Sequence, residues 1–128
     1  MKKLIVALLV VLILCSGVIS QESQKKDEKK QFIFVLKLAP RLLNEKNWTE
    51  QDKAVVGRHF RRLQQLLKEG KVILAGKTLD DTDPSQFGVV ILEVGSEEEA
   101  RKIMDEDEAV KEKIMTAQLF PFRVALIK

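Results

Sequence analysis

The sequence predicts an α+β domain in which a four-stranded antiparallel sheet carries two helices on one face. Three observations lead to this prediction. Apolar runs rich in β-branched and aromatic residues recur at four places after residue 31. Two longer segments repeat apolar residues at helical spacing, and each follows a helix-capping pattern. Along the chain these patterns occur in the order β-α-β-β-α-β.

The N-terminus, residues 1–20, is predicted to be a cleaved secretory signal peptide. Lys2 and Lys3 precede an apolar run over 4–14, which is short for a bilayer span, since a spanning helix needs roughly twenty apolar residues. Small residues then fit a cleavage site that leaves Gln21 first, so we expect a secreted or periplasmic protein. An uncleaved anchor is the alternative. Cys15, the only cysteine, belongs to the apolar run, so the mature protein would hold no disulfide.

The next segment, residues 21–31 (QESQKKDEKKQ), is predicted to be a disordered charged linker because it has no apolar side chain. The folded domain then occupies residues 32–128. Removing Lys2 and Lys3 from the 22 basic residues leaves 20, against 19 acidic residues. Such a balanced charge does not favour nucleic acid, which is bound by a basic face. No membrane contact is expected after signal cleavage.

The first half of the domain is predicted to contain a strand over 32–38, a loop over 39–48 and a helix that begins at Thr49. Thr49 and Asp52 form a capping box, and Gly70 ends the helix where a left-handed residue is favoured. The predicted apolar stripe of this helix consists of Val55, Val56, Phe60, Leu63, Leu66 and Leu67.

Two further strands, over 71–79 and 86–94, are separated by the turn-forming sequence DDTDPS and are predicted to form a hairpin. Ser96 opens the second helix, which is interrupted at 105–107.

A short helical segment is predicted over 108–115 and a last strand over 116–127. Pro121 within that strand favours an edge position.

This order is the split βαβ, or ferredoxin-like, arrangement of an antiparallel sheet. The second, third and fourth strands are apolar on both faces, whereas a half-solvated sheet alternates apolar with polar residues. The predicted facing sets are Val72 and Leu74 against Ile73 and Ala75, and Val90 and Leu92 against Val89 and Ile91. We therefore expect a homodimer that packs sheet against sheet.

His59 is the only histidine, and it lies within the apolar stripe of the first helix. It is either a packed core residue or a general base facing a pocket, a role that suits imidazole because its unperturbed pKa of about 6.5 lies near neutral pH. A base of this kind needs a carboxylate to orient it. The acidic residues at the helix interruption are Asp105, Glu106, Asp107 and Glu108. One histidine without cysteine leaves no transition-metal cluster, so neither a metal nor a cofactor is expected.

Several short motifs follow one another in a recognisable order. The first half contains Trp48-Thr49, His59 to Leu63 (HFRRL), Gly70 and Leu74 to Gly76 (LAG). The second half contains Glu93, the acidic helix around Ala100, Asp107 to Lys111 (DEAVK) and Phe120 to Phe122 (FPF). In order and spacing, residues 32–128 resemble the YciI-like family, which has the YCII-related domain. The sequence departs from the family's pattern at Glu108, where the family has proline, and at Phe120, where it has arginine.

The resemblance implies a ferredoxin-like domain that dimerises as an α+β barrel. It also implies an active site in which the helix histidine pairs with the aspartate of the later turn, here His59 and Asp107. The wider superfamily includes isomerases, dehydrochlorinases and cofactor-free monooxygenases that act on small, often aromatic, compounds.

The leading hypothesis is an exported, cofactor-free enzyme acting on a small molecule, with His59 as the base and Asp107 orienting it for isomerase- or lyase-type proton abstraction. The alternative is a non-catalytic homodimer that binds a small ligand or is purely structural. The hypotheses differ in whether the two side chains come within hydrogen-bond reach beside an open pocket.

Overall fold

The structure is a computed structural model that describes residues 28–128. The predicted signal peptide and residues 21–27 of the predicted linker lie outside the described residues, so export and cleavage stay predictions. Within 28–128, no helix has the length and apolar character needed to cross a membrane.

The described elements follow the predicted order. The strands are β1 (Lys30–Leu38), β2 (Val72–Lys77), β3 (Gly88–Val94) and β4 (Met115–Phe122), and the helices are α1 (Glu50–Lys68), α2 (Glu97–Asp105) and α3 (Glu108–Lys111). Two short 3-10 turns, Pro40–Leu43 and Glu45–Asn47, lie within the predicted loop. The sheet has the order β2-β3-β1-β4, and every neighbouring pair is antiparallel. The ferredoxin-like α+β fold is thus confirmed.

Helix α1 begins and ends at the predicted signals. The Thr49 hydroxyl accepts a hydrogen bond from the backbone N–H of Asp52, and the Asp52 carboxylate accepts one from that of Thr49. Gly70, with φ of 72°, follows the last turn. The prediction that Phe60 and Leu67 belong to the buried stripe was wrong, because they are 60% and 53% exposed. The buried face consists of Asp52, Val55, His59, Leu63 and Leu66.

Several element boundaries differ from the prediction. β2 ends at Lys77 rather than at residue 79, β3 begins at Gly88 rather than at residue 86, and α3 ends at Lys111 rather than at residue 115. β1 begins at Lys30, so the last two residues of the predicted linker belong to the sheet. β4 ends at Phe122 rather than at Ile127. Phe122 pairs with Gln31, and the pairing between β1 and β4 does not continue beyond this pair. The Gln31 side chain then accepts a hydrogen bond from the backbone N–H of Val124, which replaces a further ladder bond.

A bulge in β2 corrects the predicted division of that strand into two faces. Val72 pairs with Leu92, but Leu74 pairs with Ile91, so Ile73 is an extra residue. The extra residue moves Leu74 to the outer face and Ala75 to the helix-facing side. The prediction had put Leu74 on the same face as Val72 and Ala75 on the opposite face.

The main core lies between the sheet and helices α1 and α2. The β1 residues Phe32, Phe34 and Leu36 alternate inward and contact the buried face of these helices. The centre of the opposite face is also apolar, but its residues are only half-buried or are exposed. They are Ile33, Val35, Val89 and Ile91, with Leu74 and Phe120 more exposed at the flanks.

Candidate active site

The structure brings together the two residues that the sequence analysis singled out. Nδ1 of His59 lies 2.7 Å from Oδ2 of Asp107. The aspartate side chain is fully buried, and the histidine is 7% exposed. A carboxylate can only accept hydrogen bonds, so Nδ1 carries the proton and Nε2 presents its lone pair whenever the ring is neutral.

Local structure fixes Asp107 before it meets the histidine. Asp107 is the N-cap of α3, and its Oδ1 accepts a hydrogen bond of 2.9 Å from the backbone N–H of Ala109. One carboxylate oxygen therefore binds the helix start, and the other is directed at α1. Both helices cover the same sheet face, which explains how residues 48 positions apart in the chain come into contact.

Two arginines of α1 flank this pair and join the helices. Arg62 donates from Nη1 to the backbone oxygen of Ile103 at 2.7 Å, and the same nitrogen lies 3.7 Å from Oδ2 of Asp107. One turn earlier, Arg58 forms an ion pair with Glu108.

An apolar cavity of about 350 Å³ opens beside the histidine, between α1 and the ends of β1, β2 and β3. This volume lies in the lower part of the range of small-molecule sites, about 300–1,000 Å³. Its aromatic walls come from Trp48, Phe60 and Phe87. The Trp48 ring is held in place because its Nε1 donates to the backbone oxygen of Leu42 at 2.8 Å.

Few polar side chains line the cavity. Besides His59 they are Lys77, Asp81 and Gln86. Nζ of Lys77 lies 2.7 Å from Oδ1 of Asp81, so these two charges compensate each other. Gln86 is 6% exposed, and its Oε1 accepts a hydrogen bond of 3.3 Å from the backbone N–H of Leu38.

The turn before Gln86 is fixed by its own aspartates. The Thr82 hydroxyl and backbone N–H both donate to Oδ1 of Asp80, and these bonds hold the pKa of Asp80 below its usual value. Asp83 accepts in the same way from the backbone and hydroxyl of Ser85, which lowers its pKa as well. These aspartates therefore serve as turn-forming residues. Among residues 28–128, no group of three or more His, Cys, Asp or Glu side chains is placed to hold a metal ion.

Sequence reasoning missed three residues of this site. Gln86 carries no signal, since it stands alone at the start of an apolar strand. Arg58 and Arg62 lie on either side of the histidine in the sequence and one helical turn from each other. That spacing, together with the acidic run at 105–108, was the available indication that the two arginines pair with the second helical region.

The fold and site define a ferredoxin-like α+β domain with a buried His–Asp pair beside an apolar cavity. The model of the YCII-related domain matches residues 30–123, and the chain belongs to this family. No curated protein sequence matches the chain.

One similar solved structure is 5-chloro-2-hydroxyhydroquinone dehydrochlorinase (TftG) from Burkholderia phenoliruptrix AC1100, in complex with 2,5-dihydroxybenzoquinone. The TM-score is 0.55 at 19% identity, and the match covers 73% of this chain and 93% of that chain. At this identity the likeness supports the fold alone.

Proposed function

We propose that this protein is a cofactor-free enzyme of small-molecule metabolism that removes a proton from a ring compound, with His59 as the general base. The observation that carries the proposal is the 2.7 Å contact between Nδ1 of His59 and Oδ2 of Asp107 at the wall of an apolar cavity. TftG, which shares the fold, is by name a dehydrochlorinase, and by analogy with it the reaction class that we propose is an elimination or an isomerisation.

The proposed chemistry uses both nitrogens of the imidazole. Asp107 holds the proton on Nδ1, so Nε2 accepts the proton of a substrate C–H or O–H group. The electron pair left behind moves into the conjugated system, where it shifts a double bond or expels a leaving group from a neighbouring carbon. The resulting imidazolium is stabilised by the buried carboxylate. The leaving group, or an oxygen of the rearranged substrate, takes up the negative charge.

The test measures proton removal directly. The purified protein is incubated in D₂O with chlorinated hydroquinones, hydroxyquinones and cyclic ketones, and hydrogen exchange and chloride release are followed by NMR and ion chromatography. We expect exchange or chloride release with the wild type and a loss of about 10²–10⁴-fold in His59→Gln. Lys53→Gln, an exposed change on the same helix, is the matched control. Binding of these compounds without exchange or release would contradict catalysis and favour the non-catalytic ligand-binding alternative.

We also propose that the protein is a homodimer joined through the outer face of the sheet. Ile33 and Ile91 are paired at the centre of that face, with Phe120 and Leu74 beside them. Contiguous apolar patches of this kind on a soluble protein mark association surfaces.

We propose, finally, that the protein acts outside the cytoplasm after removal of residues 1–20. The support is the N-terminal sequence alone, with its basic start, short apolar run and small residues before Gln21.

A further inference from the structure

Gln86 lines the cavity, and a hydrogen bond to the backbone determines which way its amide is turned. Its Oε1 accepts from the backbone N–H of Leu38, and a backbone N–H can only donate, so the amide oxygen must face Leu38. Nε2 is consequently turned the other way and makes no hydrogen bond to any of residues 28–128. Within residues 28–128, every fully buried side-chain nitrogen or oxygen has a hydrogen-bond partner. Because Nε2 of Gln86 has no such partner, it is not fully buried. Gln86 is one of the residues that line the cavity.

The charges around the cavity restrict what such a donor can bind. The ammonium of Lys77 is neutralised by Asp81 at 2.7 Å, and the histidine is paired with Asp107. A phosphorylated or multiply charged ligand would lose its hydration and find no uncompensated positive side chain on the wall. An uncharged ring with one oxygen acceptor would lose little hydration and would gain contacts with the aromatic side chains that line the cavity.

We propose that Gln86 is a substrate-binding residue, and that the cavity takes small uncharged cyclic compounds whose carbonyl or hydroxyl oxygen accepts a hydrogen bond from its Nε2. This inference rests on the proposed function. When His59 removes a proton from a carbon conjugated to that oxygen, the electron pair moves onto the oxygen. The amide then donates to a developing anion, and preorganised donors of this kind are worth more in a site that excludes water.

The test uses probes of matched shape, because the natural substrate is unidentified. Acetophenone has an oxygen acceptor, ethylbenzene is nearly the same shape without one, and phenyl phosphate has a charged group. Binding to the purified protein is followed through the indole N–H resonance of Trp48. This is the only tryptophan in the chain, and it lines the cavity.

We expect the wild type to bind acetophenone about tenfold more tightly than ethylbenzene, the factor that one net hydrogen bond supplies. Phenyl phosphate should bind more weakly than acetophenone. Gln86→Glu keeps an oxygen for Leu38 but loses the donor, so at pH 8 the preference for acetophenone should disappear while ethylbenzene binds as before. Gln86→Leu should behave in the same way if it folds.

Equal binding of acetophenone and ethylbenzene by the wild type would overturn the proposal. So would an unchanged preference in Gln86→Glu, or tighter binding of phenyl phosphate. Failure of the proposed function is distinguishable, because His59→Gln should abolish proton exchange and leave the acetophenone preference intact.

Discussion

Replacing Asp107 with asparagine should leave the fold in place and reverse the position of the proton on His59. The backbone N–H of Ala109 can only donate, so the asparagine oxygen must remain at the helix cap. The amide NH₂ is then directed at Nδ1 of the histidine and can only donate to it. The proton of the neutral ring must therefore move to Nε2, the nitrogen proposed to accept the substrate proton.

The size of the effect follows from the two bonds that Asp107 makes. Asp107→Asn keeps both as neutral hydrogen bonds, so the free energy of unfolding should change by about 1 kcal/mol. Asp107→Ala loses the cap, about 0.5–2 kcal/mol, and the bond to the carboxylate, about 1.5–3 kcal/mol, and should be destabilised by about 2–5 kcal/mol. Proton exchange should fall by about 10²–10⁴-fold in both variants, the contribution typical of a general base.

The assay exploits the single histidine of the chain, whose imidazole gives one set of nitrogen signals. Long-range ¹H–¹⁵N NMR above the titration range should assign the proton to Nδ1 in the wild type and to Nε2 in Asp107→Asn, and urea unfolding gives the stabilities. If Asp107→Asn keeps the proton on Nδ1, or keeps full exchange activity, the reasoning is refuted.

Three further predictions concern stability, assembly and export. The bidentate hydrogen bond from Arg41 holds the pKa of the buried Asp52 far below its usual range. The stability that this contact adds is therefore fully present above the pKa of an aspartate in the unfolded chain, about 3.9, and is lost as the pH falls below that pKa. Urea unfolding should therefore show Asp52→Asn less stable than the wild type at pH 7 and similar to it in strong acid, and a pH-independent difference would contradict this. Sedimentation should give a dimer for the wild type and a folded monomer for Ile91→Lys, whereas a monomeric wild type would disprove the interface. Mass spectrometry of the exported protein should give Gln21 as the first residue, and an intact N-terminus or a lipid on Cys15 would argue against cleavage.

The order of elements could be predicted because its signals are local. The Thr49–Asp52 capping box and the glycine at 70 mark the bounds of α1 without reference to the rest of the chain. The end of β4 could not be predicted in this way. Its apolar sequence continues beyond Phe122, and only the pairing with β1 determines where the ladder stops.

The site could be predicted only in part, for a related reason. A lone histidine in an apolar stripe was a visible candidate, but its partner was one of four acidic residues, and only the family resemblance selected Asp107. The amide of Gln86 depends on the backbone N–H of Leu38, a contact that spans 48 positions. No local pattern carries information about such a contact.

The bulge at Ile73 affects both the proposed active site and the proposed dimer surface. Residues 72–75 are all apolar, so the sequence pattern is compatible with either register, and the structure alone shows which one the strand adopts. In the unbulged register Leu74 would face the helix layer, where Ala75 now lines the cavity. A leucine there would occupy space that the structure leaves open beside the histidine. The same shift places Leu74, instead of Ile73, opposite Ile91 on the outer face. The extra residue thus keeps a small side chain at the proposed active site and a leucine on the apolar surface through which we expect two copies to associate.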